Sequence, residues 1–278
     1  MTYETLIVDE AGGVVEITMN RPANANALNA RMADELLEVG CRCETGGARA
    51  VILTGAGKIF NGGGDLAEFD AAEDKARFVT RMASILHAAL ARFAHMDAPL
   101  ITAVNGSAGG GGFSMAISGD IVLASERAKF VSAYTASGLT PDGSSTYYLA
   151  KHVGLLRAKE LMLTNRVLSA DEACAWGLVT RVVPHDDLID QARKLAAQLA
   201  SGPTRAYGGV KRLLDSAYSE GLEAQLDKET RSIATMMRTH DGPHGIAAFL
   251  DRPEFKGNEA DGRSMNESSD RPQPSGDS

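Results

Sequence analysis

Three short runs, Ala50 to Leu53, Leu100 to Val104 and Ile121 to Ala124, are apolar along nearly their whole length and hold no charged residue. A strand without polar alternation is buried on both faces, so each run needs cover on both sides of its sheet, which parallel strands obtain from crossover helices. The stretches Leu28 to Val39 and Arg77 to Phe93 carry apolar residues at three and four spacing, which predicts helices. Strand, helix, strand order makes the first half an α/β domain. Thr5 to Asp9 and Val14 to Met19 read as a hairpin around Ala11-Gly12-Gly13.

After about Lys151 the pattern turns helical. Ser169-Ala-Asp-Glu172 spells a capping box, with Ser169 accepting from the helix start and Glu172 reaching back. Asp186 is placed to cap a helix to Ala200, Pro203 suits the first turn of the next, and Gly221 separates that one from Leu222 to Thr239. Asp241-Gly242-Pro243 is expected to end the run. This divides the chain into a core over residues 1–200, a helical region over 201–258 and, from Glu259, a tail with almost nothing apolar that is expected to be disordered.

A formal charge of -8 argues against nucleic acid as a partner. No stretch nears the roughly 18 apolar residues of a membrane span. Met1 to Asp9 lacks the layout of a signal peptide, so the expectation is a soluble, cytoplasmic protein. Cys41, Cys43 and Cys174 form an odd set without CxxC spacing, consistent with reduced thiols and no metal site.

Ten of the 29 glycines fall within Gly55 to Gly64 and Gly106 to Gly112. Each cluster follows a buried-strand candidate and precedes a possible helix start, Leu66 to Phe69 or Phe113 to Ile117. Glycine there lets the backbone turn tightly with bare N–H groups, and two such donors can converge on one oxygen as an oxyanion hole. Close helix-on-sheet packing is the alternative use of such glycines. Gly57-Lys58-Ile59 lacks the hydroxyl of a phosphate loop, neither cluster spells GxGxxG, and Gly112-Phe-Ser114-Met-Ala116 lacks the last glycine of a hydrolase elbow.

Asn26-Ala-Leu-Asn29, Ala50 to Leu66 and Ala103 to Gly112 resemble the crotonase, or enoyl-CoA hydratase/isomerase, superfamily, and the similarity covers roughly residues 3 to 257. The resemblance implies a ClpP-like crotonase spiral of ββα units, then a helical trimerisation region, in a homotrimer or dimer of trimers that acts on acyl-CoA thioesters. It places the oxyanion donors at the N–H groups of Gly64 and Gly111. Ala25, Ala27, Leu28, Gly62, Asp65 and Leu66 match positions around CoA, with Arg21, Lys58 and Lys256 from a neighbouring subunit as candidates for its phosphates. No cofactor beyond the CoA moiety of the substrate is implied.

The two glutamates that handle water in the hydratases fall here at Ser114 and Tyr134, neither a general base near neutral pH. Asp142, in Leu139-Thr-Pro-Asp-Gly-Ser144, matches the lone carboxylate of double-bond isomerases, though Pro-Asp-Gly also reads as a turn with the aspartate as a backbone cap. Burial beside an acyl chain would raise the pKa of Asp142 and suit it to shuttling a proton. A second resemblance is to 4-chlorobenzoyl-CoA dehalogenase, whose nucleophilic aspartate, histidine base and tryptophan match Asp142, His87 and Tyr134; Tyr134 lacks the indole N–H of that tryptophan. A non-catalytic acyl-CoA-binding protein is a third reading. His240 and His244 have metal-ligand spacing with Gly242-Pro243 between them, Trp176 reads as core, and Asp65 reads also as a helix cap.

Overall fold

The computed structural model describes residues 2–251; Lys256 and the tail from Glu259 lie outside them. The chain opens with β1 (Leu6–Ala11) and β2 (Val14–Met19), antiparallel, joined by Gly12-Gly13 with both φ positive. The hairpin is the expected one, with its first strand displaced towards the turn because Thr5 is held elsewhere: its N–H and Oγ1 both donate to Glu35 Oε2. Glu35 sits on α1 (Ala30–Thr45), whose start Asn29 caps by accepting from Met32 N at 2.9 Å. The helix starts after Leu28, contrary to expectation, because Leu28 is drawn into a bridge: it donates to Gly63 O at 2.7 Å and accepts from Asp65 N at 2.8 Å.

Three turns of strand, short strand and helix follow. The first holds β3 (Ala50–Gly55), β4 (Ile59–Asn61), α2 (Leu66–Ala71) and α3 (Lys75–His95); the second β5 (Leu100–Val104), β6 (Ser107–Gly109) and α4 (Gly111–Ile117); the third β7 (Ile121–Ser125), β8 (Lys129–Val131) and α5 (Ser145–Val153). The chain then runs through α6 (Leu155–Thr164), β9 (Leu168–Ser169), α7 (Ala170–Ala175), β10 (Arg181–Val183) and α8 (Leu188–Ala200) to α9 (Thr204–Ser216), α10 (Leu222–Met236) and α11 (Asp241–Asp251). Five longer strands and the short β10 form one sheet, β1-β2-β3-β5-β7-β10, and the other short strands a second, β4-β6-β8-β9. This is the α/β spiral of ββα units expected from the sequence.

The apolar strands are buried on both faces. Val51 and Leu53 of β3 join the larger core beneath α1 and α3, while Ala50 and Ile52 face the opposite way onto Leu188, Ala192 and Ala196 of α8. α9 is tied to the core by Lys211, whose Nζ donates to Phe93 O and Ala98 O and pairs with Asp120 at 2.8 Å.

Three local expectations are corrected. Asp186 does not cap α8; it lies in a preceding single turn, and Asp187 takes the cap position without a side-chain bond. Ser169 does accept from Glu172 N, but the Glu172 carboxylate turns to Arg166 instead of reaching back. Asp241-Gly242-Pro243 begins α11 instead of ending the helical run, since Pro243 falls in the first turn, where its missing N–H deprives no carbonyl of a partner.

Candidate active site

A cavity of about 250 Å³ opens between the glycine-bearing ends of the small sheet, α2 and α3 on one side, and the segment from Ala133 to Asp142 on the other. Its apolar wall includes Phe69 of α2 with Val79, Met82, Ala83 and Leu86 of α3, and Leu139 faces them from the other segment. Asp142 is the one carboxylate in the lining among the described residues.

Gly64 and Gly111 both line this cavity, and neither N–H meets a protein acceptor among the described residues. Each is free for a stated reason. Gly111 is the first residue of α4, ahead of any intrahelical carbonyl that could accept from it. Gly64 is bridged to Leu28 through its neighbours, so the ladder uses Gly63 O and Asp65 N and leaves its own amide. Asn61 fixes this loop: its side chain accepts from Gly63 N at 2.8 Å and donates to Asn26 O. Asn26, at φ 54°, is buried and in turn donates to Ala56 O and Ile59 O. Sequence reasoning had no role for Asn61; a buried amide at the end of an apolar strand was the available signal.

The Asp142 carboxylate does not cap its turn. Among the described residues its oxygens meet two side chains: Tyr134 Oη donates to Oδ1 at 2.6 Å, and His87 Nε2 lies 3.4 Å from Oδ2. The turn is held by the backbone instead, since Asp142 O accepts from Ser114 Oγ, Ser145 Oγ and Ser145 N. Burial, and then the neighbouring Asp142 carboxylate, hold the Tyr134 phenol well above its ordinary value, so Tyr134 is a hydrogen-bond donor. Ser114, wholly buried, places Oγ 2.9 Å from Tyr134 Oη and joins both to α4. His87 stands outside the cavity, on the side of α3 turned to a second hollow, and its Nε2 accepts from Gly143 N at 3.1 Å.

Of the positions matched to CoA, Leu28, Gly62 and Leu66 line the cavity. Ala25 and Ala27 lie beside it, Ala25 at φ 53° and accepting from Gly62 N at 2.9 Å. Asp65 caps α2 and pairs with Arg21 at 2.9 Å, while Arg21 also donates to Ala27 O. Arg21 thus braces this loop, with one N–H given to a carboxylate and one to a carbonyl. Lys58 is exposed in the turn between β3 and β4.

Trp176 packs against the larger core, as expected. It is only partly buried, with the guanidinium groups of Arg157 and Arg166 over its ring at 4.6 and 5.2 Å. His240 and His244 stack at 5.5 Å between centroids, and no cluster of three metal-ligating side chains occurs among the described residues. No described helix is long and apolar enough to cross a membrane.

The sequence pattern of the enoyl-CoA hydratase/isomerase family matches residues 9–258. The chain is 38% identical over 253 residues to the 1,2-epoxyphenylacetyl-CoA isomerase of Escherichia coli, covering 88% of this chain and 95% of that one. It is 37% identical over 230 residues to 4-chlorobenzoyl coenzyme A dehalogenase-2 of an Arthrobacter species, covering 81% and 83%. Among solved structures, the enoyl-CoA hydratase of Bacillus anthracis superposes with a TM-score of 0.85 at 32% identity, covering 92% of this chain and 100% of the other.

Proposed function

The chain belongs to the enoyl-CoA hydratase/isomerase family, and from that premise we propose that it moves a double bond within an acyl-CoA, with Asp142 as the proton shuttle. Asp142 takes a proton from the α carbon, the N–H groups of Gly64 and Gly111 hold the charge that develops on the thioester oxygen, and the acid returns the proton to the γ carbon. One group suffices, because isomerisation gives back the proton it removes. The observation that carries this reading is the setting of Asp142: a single carboxylate among the described lining residues, opposite the apolar wall of α2 and α3, its Oδ1 held by Tyr134, with Ser114 and Tyr134 where a hydratase would carry glutamates. The Asp142 side chain keeps 34% of its surface, so an acyl chain in the cavity would complete its desolvation.

CoA would pass over Ala25, Ala27, Leu28, Gly62 and Leu66, with Lys58 and a neighbour's Lys256 near the phosphates, in a trimer or dimer of trimers of cytoplasmic protein. Asp142→Asn tests the reading. It should keep acyl-CoA binding within a few-fold by calorimetry, yet lose at least about 100-fold in turnover of a β,γ-unsaturated acyl-CoA. Undiminished turnover overturns it.

The contacts of Asp142 with Tyr134 and His87 favour a second reading, dehalogenase-like, in which Asp142 attacks an aromatic ring and Tyr134 O–H serves in place of the indole N–H. His87 would then have to deliver water from outside the cavity with a nitrogen that already accepts from Gly143. Incubation with 4-chlorobenzoyl-CoA should give no chloride and no adduct on Asp142; release of chloride would establish this reading over the first.

A further inference from the structure

Behind the Asp142 turn, away from the acyl cavity, lies a hollow of about 310 Å³ lined by His87, His95, Ser144, Tyr147, Tyr148 and Asp215. Tyr147 is 47% exposed at its wall, and the His87 side chain is exposed to the same extent. Among the described residues, His87 is thus the one side chain that both lines this hollow and touches the carboxylate lining the other cavity. Its Nε2 has two neighbours, the Gly143 N–H at 3.1 Å and Asp142 Oδ2 at 3.4 Å. With Asp142 ionised, the nitrogen lone pair accepts from Gly143. With Asp142 protonated on Oδ2, the same lone pair faces a stronger donor.

Building on the isomerase reading, we propose that His87 is a proton relay through which Asp142 exchanges its proton with solvent in the rear hollow while the acyl chain seals the front. After Asp142 has taken a proton from the α carbon, its Oδ2–H bond breaks and an Nε2–H bond forms, giving carboxylate and imidazolium. The imidazolium trades that proton with water, and a solvent proton returns to Oδ2 by the reverse transfer. No electron or heavy atom moves, and the enzyme ends as it began. The groups facing the relay are Asp142 and the Gly143 N–H on one side, and on the other Tyr147, Tyr148, His95 and Asp215. His87 so placed acts through Asp142 and does not touch the substrate.

The relay sets how much label the product carries. In D₂O the wild type should form α,β-unsaturated product with deuterium at the γ carbon, and should also exchange the α protons of saturated butanoyl-CoA. His87→Gln keeps an oxygen to accept from Gly143 but cannot take up a proton. It should lower deuterium incorporated per turnover about 100-fold, the lower end of what one acid–base group contributes, and lower isomerisation by much less. His87→Asn, too short to span both partners, should lower it similarly. A variant that loses both rates together, with label per turnover unchanged, would mean that His87 only braces the turn and would overturn the relay. So would a wild-type product free of deuterium. Butanoyl-CoA separates the two ideas: α exchange sensitive to His87 without isomerisation of any enoyl-CoA would sink the isomerase reading and leave the relay standing.

Discussion

Tyr134 Oη donates to Asp142 Oδ1 across 2.6 Å, and Ser114 Oγ lies 2.9 Å from the same phenol oxygen. The contact leaves Oδ2 as the oxygen able to take a proton and ties the carboxylate to α4 through Ser114. A hydrogen bond to an ionised acceptor contributes about 1.5–3 kcal/mol, so Tyr134→Phe should cost roughly 10- to 100-fold in kcat with little change in KM. Steady-state kinetics on a β,γ-unsaturated acyl-CoA checks this. Because the phenol is held above its ordinary value by burial and by Asp142, the donor persists at alkaline pH. Wild-type kcat should show no fall attributable to a tyrosine up to about pH 10, and an alkaline loss that vanishes in Tyr134→Phe would contradict the assignment.

Gly64 lines the cavity and Gly112 lies in the first turn of α4, and the two should fail differently when enlarged. A Cβ on Gly64 would come within 2.7 Å of the Phe69 ring, a cavity wall that can rotate into the acyl space. A Cβ on Gly112 would lie 2.2 Å from Asn61 O, which is backbone and cannot give way. Gly64→Ala should therefore retain its melting temperature within a few degrees while losing about 100-fold in kcat/KM, the scale of one misplaced oxyanion donor. Gly112→Ala should unfold at least about 10 °C earlier or fail to accumulate, since separating β4 from α4 disturbs the core. Equal thermal losses in the two variants would refute the distinction.

The strands Val14–Met19 and Leu100–Val104 were legible because hydrophobic patterning reports burial directly. The glycine clusters were legible as strand-end loops for a related reason, since few other residues permit φ 103° at Gly63 or 51° at Gly110. Side-chain partnership was not legible. Arg21 and Asp65 are 44 positions apart, and nothing local says that one will neutralise the other. The α3 face of Val79, Met82 and Leu86 shows as apolar in the sequence, but whether it packs against strands or lines a cavity depends on the distant 133–142 segment. The same holds for Tyr134, whose lack of an indole is evident from sequence while its service as a donor in that position depends on how the turn folds back.

Glu35 should govern acid stability. Its carboxylate is buried; desolvation alone would raise its pKa, but hydrogen bonds from Thr5 and Glu4 N and the Arg31 charge outweigh this and lower it. A carboxylate with a lowered folded pKa stabilises the fold above its unfolded value, near 4.3, and that contribution is lost as pH falls through the folded value. Glu35→Gln turns an amide donor towards donors and should cost about 2 kcal/mol at pH 7. The gap between variant and wild type in urea midpoint should narrow below about pH 4; a gap independent of pH would show that Glu35 is not the titrating group.

Among the described residues, the last helices leave several large apolar side chains exposed. Leu214, Tyr218, Leu222, Ile233, Phe249 and Leu250 are each at least 64% exposed, and together they span α9, α10 and α11. Isolated exposed apolar residues are ordinary, but so many on consecutive helices are what subunit contact covers. The proposed trimer or dimer of trimers accounts for them. Light scattering on the purified protein should give a mass three or six times that of one chain at micromolar concentration. The double variant Phe249→Glu, Leu250→Glu should shift it towards the single-chain mass, because two charges would be desolvated at the contact without partners. A wild-type protein that stays monomeric at the highest soluble concentration would rule the assembly out, and the exposed apolar side chains would then need a different partner.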